Sequence, residues 1–361
     1  MKQHRTDYDL MRIIACYLVI FNHMDGYSLF QQTSTGWKTW VCMVPAMITR
    51  INVPLFFMIG GALLLNDRVE TYQEIIRKRI SRIVILITAF TILIYGLDCY
   101  KTQTVPSLGS FLRNLISGPY DIGGVAYWYL YAYAGFLLLL PILRRVTKGM
   151  NREDFILLLA VHFVVATVLP VMNLVLVSFG IDKFKLCTDL TGALDIAVSK
   201  PIFYPLIGYY VDQKINILKA KARHIVCLVL AAAAGIIISC ICTYYEGTHG
   251  DMVFTQHYVQ LFDYLTAITA FVVIKYFFVG NEHRSWYRKT SDVLALIGGL
   301  TLGMYLIDPI WEKLFYNSFK ELAGIRDSAM LASLLWCFVS MAASAFVTWF
   351  LKKIPAVAKV L

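Results

Sequence analysis

The chain has 361 residues, of which 58% are hydrophobic and only 16% are charged. Soluble domains average about 45–50% apolar and about 25% charged residues, so a single water-surrounded core cannot bury the excess. The net charge of +10 would suggest nucleic-acid binding in a soluble protein. Here the basic residues lie in short clusters between apolar runs, which is typical of the loops of membrane proteins. The composition therefore predicts an integral membrane protein and argues against a nucleic-acid partner.

Ten apolar stretches are long enough to cross a bilayer, because a transmembrane helix needs about 20 mostly apolar residues. We expect spans at 9–30, 40–65, 82–100, 124–143, 155–178, 192–212, 225–243, 259–279, 293–314 and 329–351. The first stretch is followed by no small-residue cleavage site, so we interpret it as a retained helix and not as a signal peptide. The prediction is an all-α polytopic membrane protein, with residues 1–361 forming one transmembrane domain and no separate soluble domain.

The distribution of basic residues predicts the orientation of the helices. With both termini in the cytoplasm, the cytoplasmic loops and helix ends hold 22 of the 33 basic residues, and the opposite side holds eight. Cytoplasmic loops carry an excess of Lys and Arg, so this imbalance favours cytoplasmic N- and C-termini. Trp and Tyr gather near several span ends, among them Tyr127, Trp128 and Tyr129. We interpret these residues as the aromatic belt at the membrane surface.

The first apolar stretch carries an arginine and a histidine on one helical face. Arg12 and His23 are eleven residues apart, which places them within about 20° of the same direction and about 16 Å apart along the axis. Asp9 precedes Arg12 by three residues and could orient its guanidinium. Ionisable side chains in lipid usually face a cavity or a partner. We favour a functional role for this pair over the alternative, a snorkelling arginine and a structural histidine.

The second cytoplasmic loop contains the basic run RKRISR, in which Arg79 and Arg82 are three residues apart. Guanidinium groups bind phosphate through two parallel hydrogen bonds, so the pair could hold a phosphorylated cofactor at the membrane surface. The alternative is a plain positive anchor that fixes the topology.

Further polar residues and glycines lie inside the apolar stretches. Asp308 is in the ninth stretch, and a continuous helix there would bring it near the depth of His23. Gly60 and Gly61 in the second stretch would let a backbone or a ligand approach closely. The eight cysteines show no metal-ligand spacing, so we predict no metal site. Isolated interhelical contacts are the expected role of five other residues: His162, Asn173, Lys200, Asp263 and Lys275.

With these residues in view, the chain resembles the acyltransferase 3 family of bacterial membrane acyltransferases. The first common feature is an arginine and a histidine on the first helix, separated by ten residues, here Arg12 and His23 after an acidic residue. The run PLFFMIGG is similar to the family's PxFFxxSG, and Arg79 and Arg82 match its Arg-x-x-Arg pair. The segment WYLYAYAGFLLLLPIL from Trp128 and the late LGMYLIDP also resemble family motifs. The motifs follow the family order along nearly the whole chain.

Two positions depart from the family pattern. Gly60 stands where the family usually has serine, and Asp308 stands where it usually has histidine. The second departure could change the choice of acceptor or replace one catalytic helper by another.

The resemblance implies a multi-pass O-acyltransferase of the bacterial cytoplasmic membrane, most often an O-acetyltransferase. The donor would be acyl-CoA, usually acetyl-CoA, with its phosphates held by Arg12, Arg79 and Arg82. The catalytic candidates would be His23, as general base or transient acyl carrier, and Asp308. The acceptor would be a hydroxyl group of an envelope glycan or a lipid-linked sugar. Two alternatives remain open, a transporter or flippase without acyl chemistry and a membrane scaffold.

Overall fold

The computed structural model describes residues 5–24, 37–66, 70–116, 127–181, 200–249, 261–323 and 329–361. Helices make up nearly all of these segments, and the described residues contain no β-strand. In the first half of the chain the helices are α1 (Thr6–His23), α2 (Trp37–Thr49), α3 (Asn52–Leu64), α4 (Tyr72–Thr102), α5 (Leu108–Ile116), α6 (Trp128–Gly149) and α7 (Arg152–Phe163, continued by Leu169–Ser178). In the second half they are α8 (Lys200–Tyr209, continued by the π-helical turn Tyr210–Lys214), α9 (Ala222–His249), α10 (Asp263–Gly280), α11 (Ser285–Gly298), α12 (Thr301–Leu322), α13 (Ala329–Leu351) and α14 (Pro355–Ala358).

Seven helices of the described segments are long and apolar enough to cross a membrane, and α11 with α12 makes an eighth if this bent pair is one span. Two of the ten expected spans are not among them. Helix α1 carries Asp7, Asp9 and Arg12 within its 18 residues, too many charges for a lipid-facing helix. The sixth expected span begins at 192, and its first eight residues, 192–199, lie outside the described residues. Its described part, α8 with the π-helical turn, is shorter than the length a bilayer-spanning helix needs. Ten spans and cytoplasmic termini therefore stay predictions, whereas the all-helical multi-pass architecture is observed.

Helix α1 tolerates its charges because other helices surround it. It packs against α2, α3, α10, α11, α12 and α13. Asp7 and Asp9 are only 2% exposed, so they face protein groups and not lipid. A close approach is possible because Gly298, at the end of α11, presents no side chain. A Cβ atom added there would lie 2.7 Å from the Cβ of Asp9.

Two expected spans are interrupted. The span predicted at 40–65 contains a turn at Arg50 and Ile51 that separates α2 from α3. The ninth expected span bends by 50° between α11 and α12, so the condition of one continuous helix leading to Asp308 is not met, although Asp308 does lie near His23. The residues at the two breaks, Arg50, Gly298 and Gly299, all line the same cavity.

Helices α3 and α8 cross so closely that their backbones are in contact. A Cβ atom added to Gly61 would lie 1.9 Å from the carbonyl oxygen of Pro205, and one added to Gly208 would lie 2.1 Å from that of Met58. Real Cβ atoms do not come this close to another backbone, so both glycines are required by this crossing. The contact fixes α3, one wall of the cavity, against α8.

Two sets of ion pairs connect different helices. Asp212 accepts from Arg5 at 2.9 Å and also from Lys275, which joins α1, α8 and α10. Lys313 of α12 pairs with Asp98 of α4 at 2.5 Å. Lys275 is thus an interhelical contact, as its isolated position in the sequence predicted.

Candidate active site

One cavity of about 1010 Å³ is lined by side chains of α1, α3, α4 and α6 and by the bent junction of α11 and α12. Arg12 and His23 both line it, although the spacing on α1 puts them about 16 Å apart. The cavity therefore runs beside at least three turns of α1, from Arg12 to His23.

Four basic side chains line the Arg12 end of the cavity: Arg12, Lys78, Arg79 and Arg82. Arg12 donates to Asp9 at 3.0 Å, and Arg82 donates through Nε to the backbone oxygen of Val360 at 2.5 Å. Arg79 uses Nη2 alone in its contacts with Glu70. A guanidinium has five N–H donors, and each arginine uses only one nitrogen in these contacts. The remaining donors suit an anionic ligand.

Glu70 connects this cluster to a buried arginine. Its carboxylate accepts from Arg79 at 2.9 and 3.1 Å and from Arg144 at 2.9 Å. Arg144, only 5% exposed, also donates to the Leu64 carbonyl oxygen at 2.8 Å. Desolvation raises the pKa of Glu70, but the hydrogen bonds and charges of the two arginines outweigh it and hold that pKa below its ordinary value. The pairing therefore stabilises the fold at neutral pH and is lost only as the pH falls through this lowered pKa.

At the other end, His23 faces a buried carboxylate. His23 Nδ1 lies 3.8 Å from Asp308 Oδ2, within ion-pair range and longer than a hydrogen bond. Asp308 is fully buried, and its Oδ1 accepts from the Ser340 hydroxyl at 2.5 Å. Its Oδ2 has no hydrogen-bond partner among the described residues. Ser340 thus holds one oxygen and leaves the other turned towards the imidazole.

Aromatic side chains form the wall between the two ends. Tyr129 stacks on Tyr133 with ring centroids 5.7 Å apart and meets Tyr305 edge-on at 6.2 Å, and all three line the cavity. Trp128 lines it too, and Tyr127 is buried with its hydroxyl donating to the Leu306 carbonyl oxygen at 2.6 Å. The interpretation of Tyr127, Trp128 and Tyr129 as a membrane-surface belt is therefore wrong.

The two neighbouring glycines of α3 have different roles. Gly61 makes the backbone contact with α8, whereas Gly60 lines the cavity. A Cβ atom at Gly60 would meet Phe136 at 3.5 Å and Tyr133 at 3.6 Å, which is ordinary van der Waals contact. A side chain as small as the serine of the family pattern would fit there.

All five site residues singled out from the sequence lie in or beside this cavity. Arg12, Arg79, Arg82 and His23 line it, and Asp308 contacts His23. The sequence did not predict the contacts of Glu70, Arg144 and Ser340. Arg144 looks like an ordinary topology anchor in the sequence, and nothing local shows that its side chain is buried. Among the described residues, no group of three His, Cys, Asp or Glu side chains could hold a metal ion.

Comparison with known proteins gives the family of the chain. The model of the acyltransferase 3 family, described as an acyltransferase domain, matches residues 5–353. No curated protein and no solved structure matches the chain. Because the match covers nearly the whole chain and the helices suit a bilayer, this protein belongs to the acyltransferase 3 family and is a multi-pass membrane acyltransferase.

Proposed function

We propose that the protein is an O-acyltransferase that takes an acyl group, most often acetyl, from cytoplasmic acyl-CoA and transfers it to a sugar hydroxyl. The acceptor in this proposal is an envelope glycan or a lipid-linked sugar, and the location is the bacterial cytoplasmic membrane. The observation that carries the proposal is that one cavity is lined both by Arg12, Arg79 and Arg82 and by His23.

The arginine cluster is the proposed phosphate site of the donor. Coenzyme A carries several phosphate oxygens at one end and its thioester at the other end of a flexible arm. Guanidinium forks match phosphate geometry, and Arg12, Arg79 and Arg82 line one end of the cavity. The arm would then lie along the tyrosine wall, with the thioester near His23. Arg144 would hold Glu70 and thereby keep Arg79 in position.

His23 is the proposed general base. A neutral imidazole, with an ordinary pKa of about 6.5, can accept the proton of an acceptor hydroxyl near neutral pH. The hydroxyl oxygen attacks the thioester carbonyl carbon, a C–O bond forms, and the C–S bond breaks. The coenzyme A thiolate leaves and takes up the proton that His23 accepted. A transient acyl group on His23 is the alternative course of the same transfer.

Asp308 is the proposed positioning residue for His23. When the imidazole gains a proton it becomes cationic, and a carboxylate 3.8 Å from Nδ1 stabilises that charge strongly in a buried site. It also favours the tautomer that keeps the proton on Nδ1 and leaves Nε2 as the base. Aspartate can thus serve here where the family pattern has histidine.

The donor site is tested by acetyl-CoA binding to purified protein. We expect Arg79→Ala/Arg82→Ala to weaken binding at least about tenfold, or about 1.4 kcal/mol, because both side chains are proposed phosphate ligands. Isothermal titration calorimetry in detergent measures this. The matched control is Arg77→Ala/Arg145→Ala, which removes two exposed charges that do not line the cavity.

If both double variants lost the same amount of acetyl-CoA affinity, a specific phosphate site would be contradicted. The loss would then be a general effect of the removed charges. If the folded wild type binds no CoA, the arginines are topology anchors. Transport of an anionic solute through the cavity would then be the better hypothesis, and uptake into proteoliposomes would measure it.

A further inference from the structure

The chain after α13 crosses the arginine end of the cavity. Lys352, directly after α13, donates through Nζ to the Gly299 carbonyl oxygen at 2.5 Å, at the bend between α11 and α12. Further along, the Val360 backbone oxygen accepts from Arg82 Nε of α4 at 2.5 Å. Gly299 and Arg82 both line the cavity. Residues 352–361 therefore connect two of its walls.

The last turn of this stretch docks through one apolar face. Val357 and Val360 are half-buried against the core, and Leu361 is 6% exposed and lines the cavity. Positions i, i+3 and i+4 share one face of a helical turn. The other residues from 353 to 361 are exposed. Residues 355–361, the docking segment, are thus held by this face and by the arginine of α4.

The docking segment can move without unwinding a long helix. Helix α13 ends at Leu351, and Ile354 has an extended backbone, with φ −84° and ψ 114°, directly before Pro355. Proline has no N–H to donate to a continued helix, so the break stays whether or not the segment is docked. A rotation at this break would lift the segment away from Arg82 and out of the cavity.

The docked position competes with the proposed phosphate site. A guanidinium binds phosphate through two parallel N–H groups, and the Nε group of Arg82 is taken by a neutral carbonyl oxygen. Leu361 brings an apolar side chain to the same cavity, and this side chain offers no donor to a phosphate. The docking segment therefore takes up a hydrogen-bond donor and a part of the cavity wall that the phosphates of acyl-CoA would otherwise contact.

We propose that the docking segment is autoinhibitory: it closes the arginine end of the cavity, and acyl-CoA binds only after the segment has left Arg82. This inference rests on the proposed function and adds regulation to its donor site. Because the donor binds the open form alone, the apparent affinity falls in proportion to the fraction of molecules that are open. An interaction that holds the segment away would raise donor affinity without any change in the cavity.

The first test weakens the apolar face of the segment. We expect Leu361→Asn, which removes the buried apolar side chain, to bind acetyl-CoA at least about threefold more tightly than the wild type, because the open fraction rises. Isothermal titration calorimetry of the purified protein in detergent measures this. The matched control is Ala358→Ser, a polar substitution at an exposed position of the same turn that does not line the cavity, and it should bind like the wild type. Equal or weaker binding by Leu361→Asn would overturn the inference.

In the second test, acetyl-CoA itself displaces the segment. Leu361→Cys should react with a maleimide at least about fivefold faster with saturating acetyl-CoA than without it, and mass spectrometry of the peptide that carries residue 361 measures the rate. The exposed Ala358→Cys is the control and should react equally fast in both conditions. A slower or unchanged reaction of Leu361→Cys would mean that the donor binds while the segment stays docked, which would overturn the inference.

The two proposals fail in different ways. Tight binding of acetyl-CoA with no effect of either Leu361 variant removes the autoinhibition and leaves the proposed function intact. If neither the wild type nor Leu361→Asn binds acetyl-CoA, it is the proposed function that fails, and the inference fails with it.

Discussion

Replacement of His23 by glutamine is expected to lower acyl transfer by about 10²–10⁴-fold, the usual contribution of a general base. Glutamine keeps a polar side chain of similar length but cannot accept the proton of an acceptor hydroxyl. Since His23 lies far from the arginine cluster along α1, acetyl-CoA binding should change little. Transfer of labelled acetyl groups by membranes that hold equal amounts of each variant measures the effect.

The matched control for this variant is His283→Gln. His283 is exposed and does not line the cavity, so we expect transfer at the wild-type level. A His23→Gln variant that binds acetyl-CoA and keeps more than about one tenth of the wild-type activity would exclude His23 both as the base and as the acyl carrier.

Gly61→Ala is expected to destabilise the protein by about 3 kcal/mol or more, at or above the upper end of the usual range for overpacking. The added methyl group would lie 1.9 Å from the Pro205 carbonyl oxygen, and the obstacle is a backbone that cannot rotate away. Helices α3 and α8 must then separate, and the cavity wall loses its support. The apparent melting temperature in detergent, followed by intrinsic fluorescence, should fall sharply or the protein should fail to purify as a single species.

Gly60→Ser is the control on the same helix. The neighbouring side chains lie at ordinary contact distance from a Cβ atom there, so we expect a melting temperature close to that of the wild type. If Gly61→Ala were as stable as Gly60→Ser, the backbone contact between α3 and α8 would be absent from the folded protein.

The sequence was most informative where helical geometry alone decides the outcome. The eleven-residue spacing of Arg12 and His23 predicts one face, and both residues do line one cavity. The resemblance added Arg79 and Arg82, which spacing alone could not distinguish from a topology anchor. Hydropathy treated α1 as an ordinary span, although its acidic residues are buried against protein. The mean hydropathy of a sequence window does not show whether lipid or protein surrounds the helix.

The remaining features depend on contacts between distant parts of the chain. Glu70 and Arg144 are 74 positions apart, and Asp308 and Ser340 are 32 apart. No local pattern marks either pair, because each is created by helix packing. The two glycines of α3 look equivalent in the sequence, and only the crossing with α8 shows that Gly61 is the structural one. The bend before α12 had no predicted counterpart, yet it brings Gly298 and Gly299 to the cavity.

The central claim is that one acyl-CoA molecule spans the cavity from the arginines to His23. The most direct measurement is a cryo-electron microscopy structure of the His23→Gln variant with acetyl-CoA bound, in which the thioester should persist. We expect phosphate oxygens within about 2.7–3.2 Å of the guanidinium nitrogens of Arg79 and Arg82, with the acetyl group beside residue 23. Coenzyme A bound outside this cavity, or inside it with the acetyl group directed away from residue 23, would contradict the account.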